Sequence, residues 1–162
     1  MPWQIEDGSS VKDPTIFIDA DACPVKDEVY RVAGRYNLRV FVVANAFIRV
    51  PKDPLIKLEV VASGPDAADD WIIEHISPAD IVISADIPLA DRALKAGGFV
   101  IAPTGKPFTR DSIAAALATR SIMEHLRSTG EVTGGPKPFG AADRSRFLQA
   151  LDEAVNRARR MS

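Results

Sequence analysis

Three groups of aspartate carry the chemistry this chain could perform. Asp19 and Asp21 directly follow the apolar run Ile16-Phe17-Ile18 and are separated only by Ala20. Two carboxylates at positions i and i+2 of an extended segment point to the same side. Their charges repel unless a metal ion, a shared proton or open water intervenes. Asp66, Asp69 and Asp70 form a second group, with position 66 on the same helical face as 69 and 70. Asp86 and Asp91 form a third. Each has a plainer role open to it, because Asp21, Asp66 and Asp86 all precede helix-like segments that an acid can cap or favour through the dipole. The chain has one cysteine and two histidines, Cys23, His75 and His125, so any bound metal would be held by oxygen. Oxygen ligands select Mg²⁺ or Mn²⁺. Cys23, flanked by aspartates and without a histidine close in sequence, reads as a packing residue.

The pattern of apolar residues says how these acids are positioned. Apolar, β-prone stretches occur at 15–18, 39–44, 57–62, 80–84 and 99–102. Between them, helical spacing runs over 24–33, 67–76 and 87–96, with Pro24 suited to a first turn and Gly97-Gly98 ending the last. Residues 45–56, carrying Pro51 and Pro54, read as a loop. Strands alternating with helices predict a mostly parallel five-stranded sheet in a three-layer α/β/α sandwich. Two further helices are expected at 111–128, capped by Thr109, and at about 142–159. Residues 1–14 read as a flexible extension before one α/β domain spanning 15–162. The Gly/Pro-rich stretch 129–140 has the composition of a lid, a linker or a dimer arm, and a homodimer is one arrangement it allows. In a parallel sheet every strand's carboxyl end lies on one edge. The aspartates at 19, 21, 66, 69, 70 and 86, together with Asn45, are therefore expected to meet there.

Bulk properties narrow the class. The chain is 46% hydrophobic and 26% charged, as ordinary globular proteins are. No apolar run approaches the roughly 18 residues of a membrane span, and no secretory leader is legible, so a cytoplasmic location is expected. Charge is unevenly spread. Residues 1–100 carry 10 Lys+Arg against 16 Asp+Glu, whereas 101–162 carry 10 against 6. An acidic half beside a basic half suits a polyanion held over a cation, and Asn45, Lys106, Arg110, Arg120 and Arg127 are candidate phosphate or nucleic-acid contacts.

The segments Phe17-Ile18-Asp19-Ala20-Asp21-Ala22-Cys23-Pro24-Val25-Lys26, Gly64-Pro65-Asp66-Ala67-Ala68-Asp69-Asp70 and Ile83-Ser84-Ala85-Asp86-Ile87-Pro88-Leu89-Ala90 closely resemble the bacterial YaiI/YqxD-like proteins. Further matching stretches are Thr119-Arg120-Ser121-Ile122-Met123 and Thr133-Gly134-Gly135-Pro136, so the likeness runs in order over about residues 15–155. That family resembles a branch of the PIN-like nucleases. The resemblance implies a PIN-like fold with Asp19 as the first-strand acid and Asp86 as the fourth-strand acid. It further implies a middle acid among Asp66, Asp69 and Asp70, and Asp91 as an acid in the following helix. The expected activity is metal-dependent phosphodiester hydrolysis, on RNA rather than DNA, with Asp19 and Asp86 catalytic. One alternative is a non-catalytic nucleic-acid- or metal-binding module of the same fold. Another is a haloacid-dehalogenase-like phosphatase, whose Asp-x-Asp pair Asp19-Ala20-Asp21 resembles but whose motif order is reversed here.

Overall fold

The computed structural model describes residues 13–21, 23–62, 64, 66–128 and 139–161, with the backbone alone for 120–128. Five strands, β1 (Ile16–Asp19), β2 (Val40–Ala44), β3 (Ile56–Val60), β4 (Ile81–Ile83) and β5 (Phe99–Ile101), form one sheet in the order β3-β2-β1-β4-β5. Every pairing is parallel. Five helices complete the fold: α1 (Lys26–Tyr36), α2 (Ala67–His75), α3 (Ile87–Lys95), α4 (Arg110–Ser128) and α5 (Ala141–Met161).

The central strands are short and apolar throughout because both their faces are covered. Ile16, Ile18, Ile81 and Ile83 share a buried cluster with Val29 and Val32 of α1 and Phe147, Leu151 and Val155 of α5. Phe17 and Val82, the intervening residues, point the other way. They join Ile72 of α2, Leu89 and Ala93 of α3, and Ile113 of α4. Side chains alternating across a strand thus divide the core into the two interfaces of a three-layer α/β/α sandwich. The α5 helix is tied to α1 at both ends. Tyr36 Oη donates to Asp152 Oδ1 at 2.6 Å, and Arg144 pairs with Glu28 at 3.2 Å while also donating to the Pro24 carbonyl at 2.9 Å.

Several boundaries differ from those read in the sequence. The first helix begins at Lys26, with Pro24 and Val25 in a turn, and continues past 33 to Tyr36. It ends where Asn37 adopts a left-handed conformation (φ 56°) and its N–H returns to the Ala33 carbonyl, a role for which asparagine is tolerated. Val25 occupies the cap position without a side-chain bond, so Asp21 does not cap α1. The final helix reaches Met161. Trp71 is half-buried at the margin of the core, between Phe41 (5.4 Å between ring centroids) and the stacked imidazole of His75 (3.8 Å). Thr109 does cap α4, accepting the Ser112 N–H at 3.0 Å. Residues 129–138 and 1–12, where the dimer-arm and flexible-extension expectations fall, lie outside the described residues.

Two features set up the upper edge of the sheet. The parallel β2–β3 connection has no helix; Ile48 and Val50 of the 45–55 loop pack on the core instead. In addition, β1→α1→β2 winds one way from the centre while β3→α2→β4 crosses to the other side of β1. That reversal opens a crevice outside the carboxyl ends of β1 and β4, where open α/β sheets hold ligands.

Candidate functional site

Asp19 is the last residue of β1, half-buried, and its carboxylate is fixed from two sides. The Ser84 hydroxyl donates to Asp19 Oδ2 at 2.9 Å, and the backbone N–H of Asp21 also donates to the Asp19 carboxylate. Ser84 is 3% exposed and follows β4 directly. Its Oγ accepts the Asp86 N–H at 3.0 Å. Asp86 in turn caps α3, its Oδ1 accepting the Leu89 N–H at 2.9 Å, with Pro88 in the first turn. One buried hydroxyl therefore links the acid after β1 to the acid after β4.

Two cavities flank this link and share Asp19, Asp21 and Asp86. The larger, about 290 Å³, adds Ala68 and Asp69 from α2, Val43 and Ala44 from β2, and Asn45, Ala46 and Ile48 from the loop that follows. The smaller, about 200 Å³, adds Cys23, Ser84, Ala85 and Pro103. The acids interact. Burial is the main cause raising the Asp69 carboxyl to about 6, reinforced by the charges of Asp86, Asp19 and Asp66 and opposed by Arg92. Burial likewise raises Asp19, partly offset by its bonds from Ser84 and the Asp21 N–H, with Asp86 and Asp21 adding to the rise. The Cys23 thiol is buried and pushed up by that burial, which leaves it a packing residue. Among the described residues no group of three or more His, Cys, Asp or Glu side chains stands arranged to hold a metal ion.

Not every acid expected at this edge reaches it. Asp66 occupies the cap position of α2 without a side-chain cap bond and lines neither cavity, though its charge reaches Asp69. Asp70 turns to Arg92 of α3, at 2.9 Å. Asp91 pairs with Lys95 one turn along α3, at 2.8 Å. A helix carries its residues around its axis, so of three acids on α2 only Asp69 faces the crevice. Asn45 lines the larger cavity as expected. Lys106 and Arg110 are exposed and line neither cavity, although Pro103, in the same turn as Lys106, lines the smaller. Arg120 and Arg127 have side chains outside the described residues.

Ser84 was not among the residues singled out from the sequence, nor were two nearby cations. Arg92 faces Asp70 and lowers Asp69, and Lys26 Nζ donates to the Cys23 carbonyl at 2.9 Å. The sequence signal for Ser84 was its position, a lone hydroxyl between the apolar strand 81–83 and Asp86.

A family model described as "Uncharacterized BCR, YaiI/YqxD family" matches residues 17–157. A UPF0178 protein of Caulobacter sp. (strain K31) is 64% identical over 146 residues, covering 90% of this chain and 97% of that protein. A UPF0178 protein of Bradyrhizobium sp. (strain ORS 278) is 62% identical over 146 residues, covering 90% of this chain and 89% of the relative. No solved structure matches. The family match runs from the middle of β1 to within a turn of the end of α5, taking in every residue that lines the two cavities, and the chain belongs to the YaiI/YqxD family.

Proposed function

We propose that the chain is a metal-dependent phosphodiesterase acting on nucleic acid, on RNA in preference to DNA. The observation that carries this reading is that Asp19, Asp21, Asp69 and Asp86 line one cavity beside the switch point of a parallel sheet. Four carboxylates in one pocket repel one another, and a divalent cation is the usual means of offsetting that. The donors fit Mg²⁺ or Mn²⁺, since all are hard oxygen ligands. A preformed three-residue cage is not required, because magnesium is commonly held by one or two carboxylates with water and substrate phosphate oxygens. When bound, such an ion supplies an activated water and neutralises charge developing on the phosphate. Asp19 and Asp86 are the holding pair, and Asp69 is the acid facing them from α2. Ser84 keeps Asp19 in place, and Asp70 and Asp91 act only through their ion pairs. The likeness to PIN-like nucleases supports the same assignment of Asp19 and Asp86.

The test is RNA cleavage by the purified protein in Mn²⁺, alongside D19N and D86N. Loss of activity in both variants, together with a Mn²⁺-dependent rise in Tm that both weaken, is expected. Cleavage that survives both changes would sink the reading. A second reading is nucleic-acid binding by the same fold without turnover. It would appear as RNA retention that weakens steeply with salt and yields no product.

A further inference from the structure

The larger cavity has two unlike walls. One carries the carboxylates; the other is aliphatic, with Asn45 as its uncharged polar side chain. The second wall is the end of β2 and the start of the helix-free β2–β3 connection. Along it Asn45, Ala46 and Phe47 are exposed in succession, after which Ile48 and Val50 pack on the core on either side of an exposed Arg49. From Phe47 to Val50 exposed and packed residues alternate, as along an extended stretch held down by every second residue. Phe47 is 81% exposed although the residues on either side of it, Ala46 and Ile48, line the cavity. Val60, paired with Ala44 at the end of β3, is 51% exposed at the same sheet edge.

An anchored aromatic ring in solvent, an amide and a guanidinium at alternate positions match what unpaired nucleotides require. The ring offers a face for a base, the amide pairs with its edge as both donor and acceptor, and the cation meets the backbone. A cavity of about 290 Å³ falls just below the roughly 300–1,000 Å³ of ligand sites, room for one nucleotide at most. A base inside a duplex is stacked on its neighbours and cannot present its face to a protein ring.

We propose that the 45–49 segment is a base-binding subsite, with Phe47 as the stacking platform, and that it selects single-stranded nucleic acid. This rests on the nucleic-acid reading above and adds the strand state of the substrate and the residues that choose it.

The experiment is a fluorescence titration of a 12-nucleotide RNA containing 2-aminopurine, single-stranded and annealed to its complement, in Mg²⁺ and again in EDTA. Wild type should quench the single strand and bind it more tightly than the duplex. F47A should bind it about tenfold more weakly and lose the quenching, as base–aromatic stacking of about 1–3 kcal/mol implies. F47Y should behave as wild type. R49A should flatten the salt dependence by about 0.7 in log–log slope, the value for one phosphate on a single strand. Unchanged binding and quenching in F47A, equal affinity for duplex, or no binding at all would overturn the subsite. Quenching through Phe47 without cleavage in Mn²⁺ upholds the subsite while sinking the hydrolytic reading; cleavage indifferent to F47A does the reverse.

Discussion

Ser84 Oγ stands 2.9 Å from Asp19 Oδ2, a hydrogen bond that spans 65 positions of sequence and joins the ends of β1 and β4. The same oxygen accepts the Asp86 N–H, so one buried hydroxyl sets the positions of two acids. S84A removes a donor from Asp19 and an acceptor from Asp86 at once. The expected loss is about 1–3 kcal/mol in urea denaturation. Because the Ser84 bond lowers the Asp19 carboxyl, that carboxyl should titrate higher in S84A, as followed by NMR. S84T, which keeps the hydroxyl, should recover most of both. Equal stability of S84A and wild type would mean that water replaces the bond without cost.

Asp69 predicts how stability depends on pH in the absence of divalent ions. Its carboxyl titrates near 6 when folded, raised chiefly by burial and then by Asp86, Asp19 and Asp66, against an ordinary value of 3.8. Below pH 3.8 it is protonated in both folded and unfolded states and contributes nothing. As pH rises from there to about 6, the unfolded chain ionises first and the fold loses stability; above 6 that cost is complete. D69N should therefore raise Tm at pH 8 in EDTA and leave it unchanged near pH 3.5. A gain of the same size at both pH values would show that packing, rather than charge, is responsible.

Asp86 has two duties that substitution can separate. Its Oδ1 caps α3, and its charge belongs to the acidic group. Asparagine caps as well as aspartate, whereas alanine does not, at a cost of about 1 kcal/mol. D86N should keep wild-type stability in chemical denaturation, and D86A should lose about that amount. Under the proposed function both lose cleavage. A D86N protein as unstable as D86A would show that the cap depends on the charge.

The sheet was legible because four of its strands are nearly continuous apolar runs, β3 alternates Ile56, Leu58 and Val60 with Lys57 and Glu59, and the acids fall near the strand ends. Convergence of Asp19 with Asp86 follows from parallel pairing alone. What could not be read was direction around a helix axis when both partners are remote in sequence. Asp70 meets Arg92, 22 positions on, and this pairing takes it away from Asp69. Nor could the sequence say that α5 would return to cover α1, because an amphipathic helix shows that it has a buried face without naming its partner. Charge alone does not tell which cations face a crevice, and Lys106 and Arg110 line neither cavity. Arg49 stands on a loop that forms part of the cavity wall, and no periodic signal in the sequence places that loop.

The turn after β5 sits closely against α5 at Gly105. Gly105 has φ +91°, and a Cβ there would lie 2.6 Å from the Arg146 carbonyl carbon and 2.7 Å from the Phe147 nitrogen. Both obstacles are backbone in the first half of α5, and Phe147 is fully buried, so neither can yield as a side-chain tip would. The turn is itself closed by Gly105 N–H to the Ala102 carbonyl at 2.8 Å and Ala102 N–H to the Lys106 carbonyl at 2.9 Å. G105A meets a left-handed backbone conformation that alanine resists and a steric clash besides, and no local adjustment relieves both. The expected loss exceeds about 2 kcal/mol in urea denaturation. Displacement should reach Pro103, which lines the smaller cavity, so the Cys23 thiol should also react faster with a thiol reagent. G34A, at an α1 position where nothing lies within 4 Å, is the control. It should hold or gain up to about 1 kcal/mol through helix propensity. If G105A matches G34A, the packing of α5 on this turn is not what holds the third layer in place.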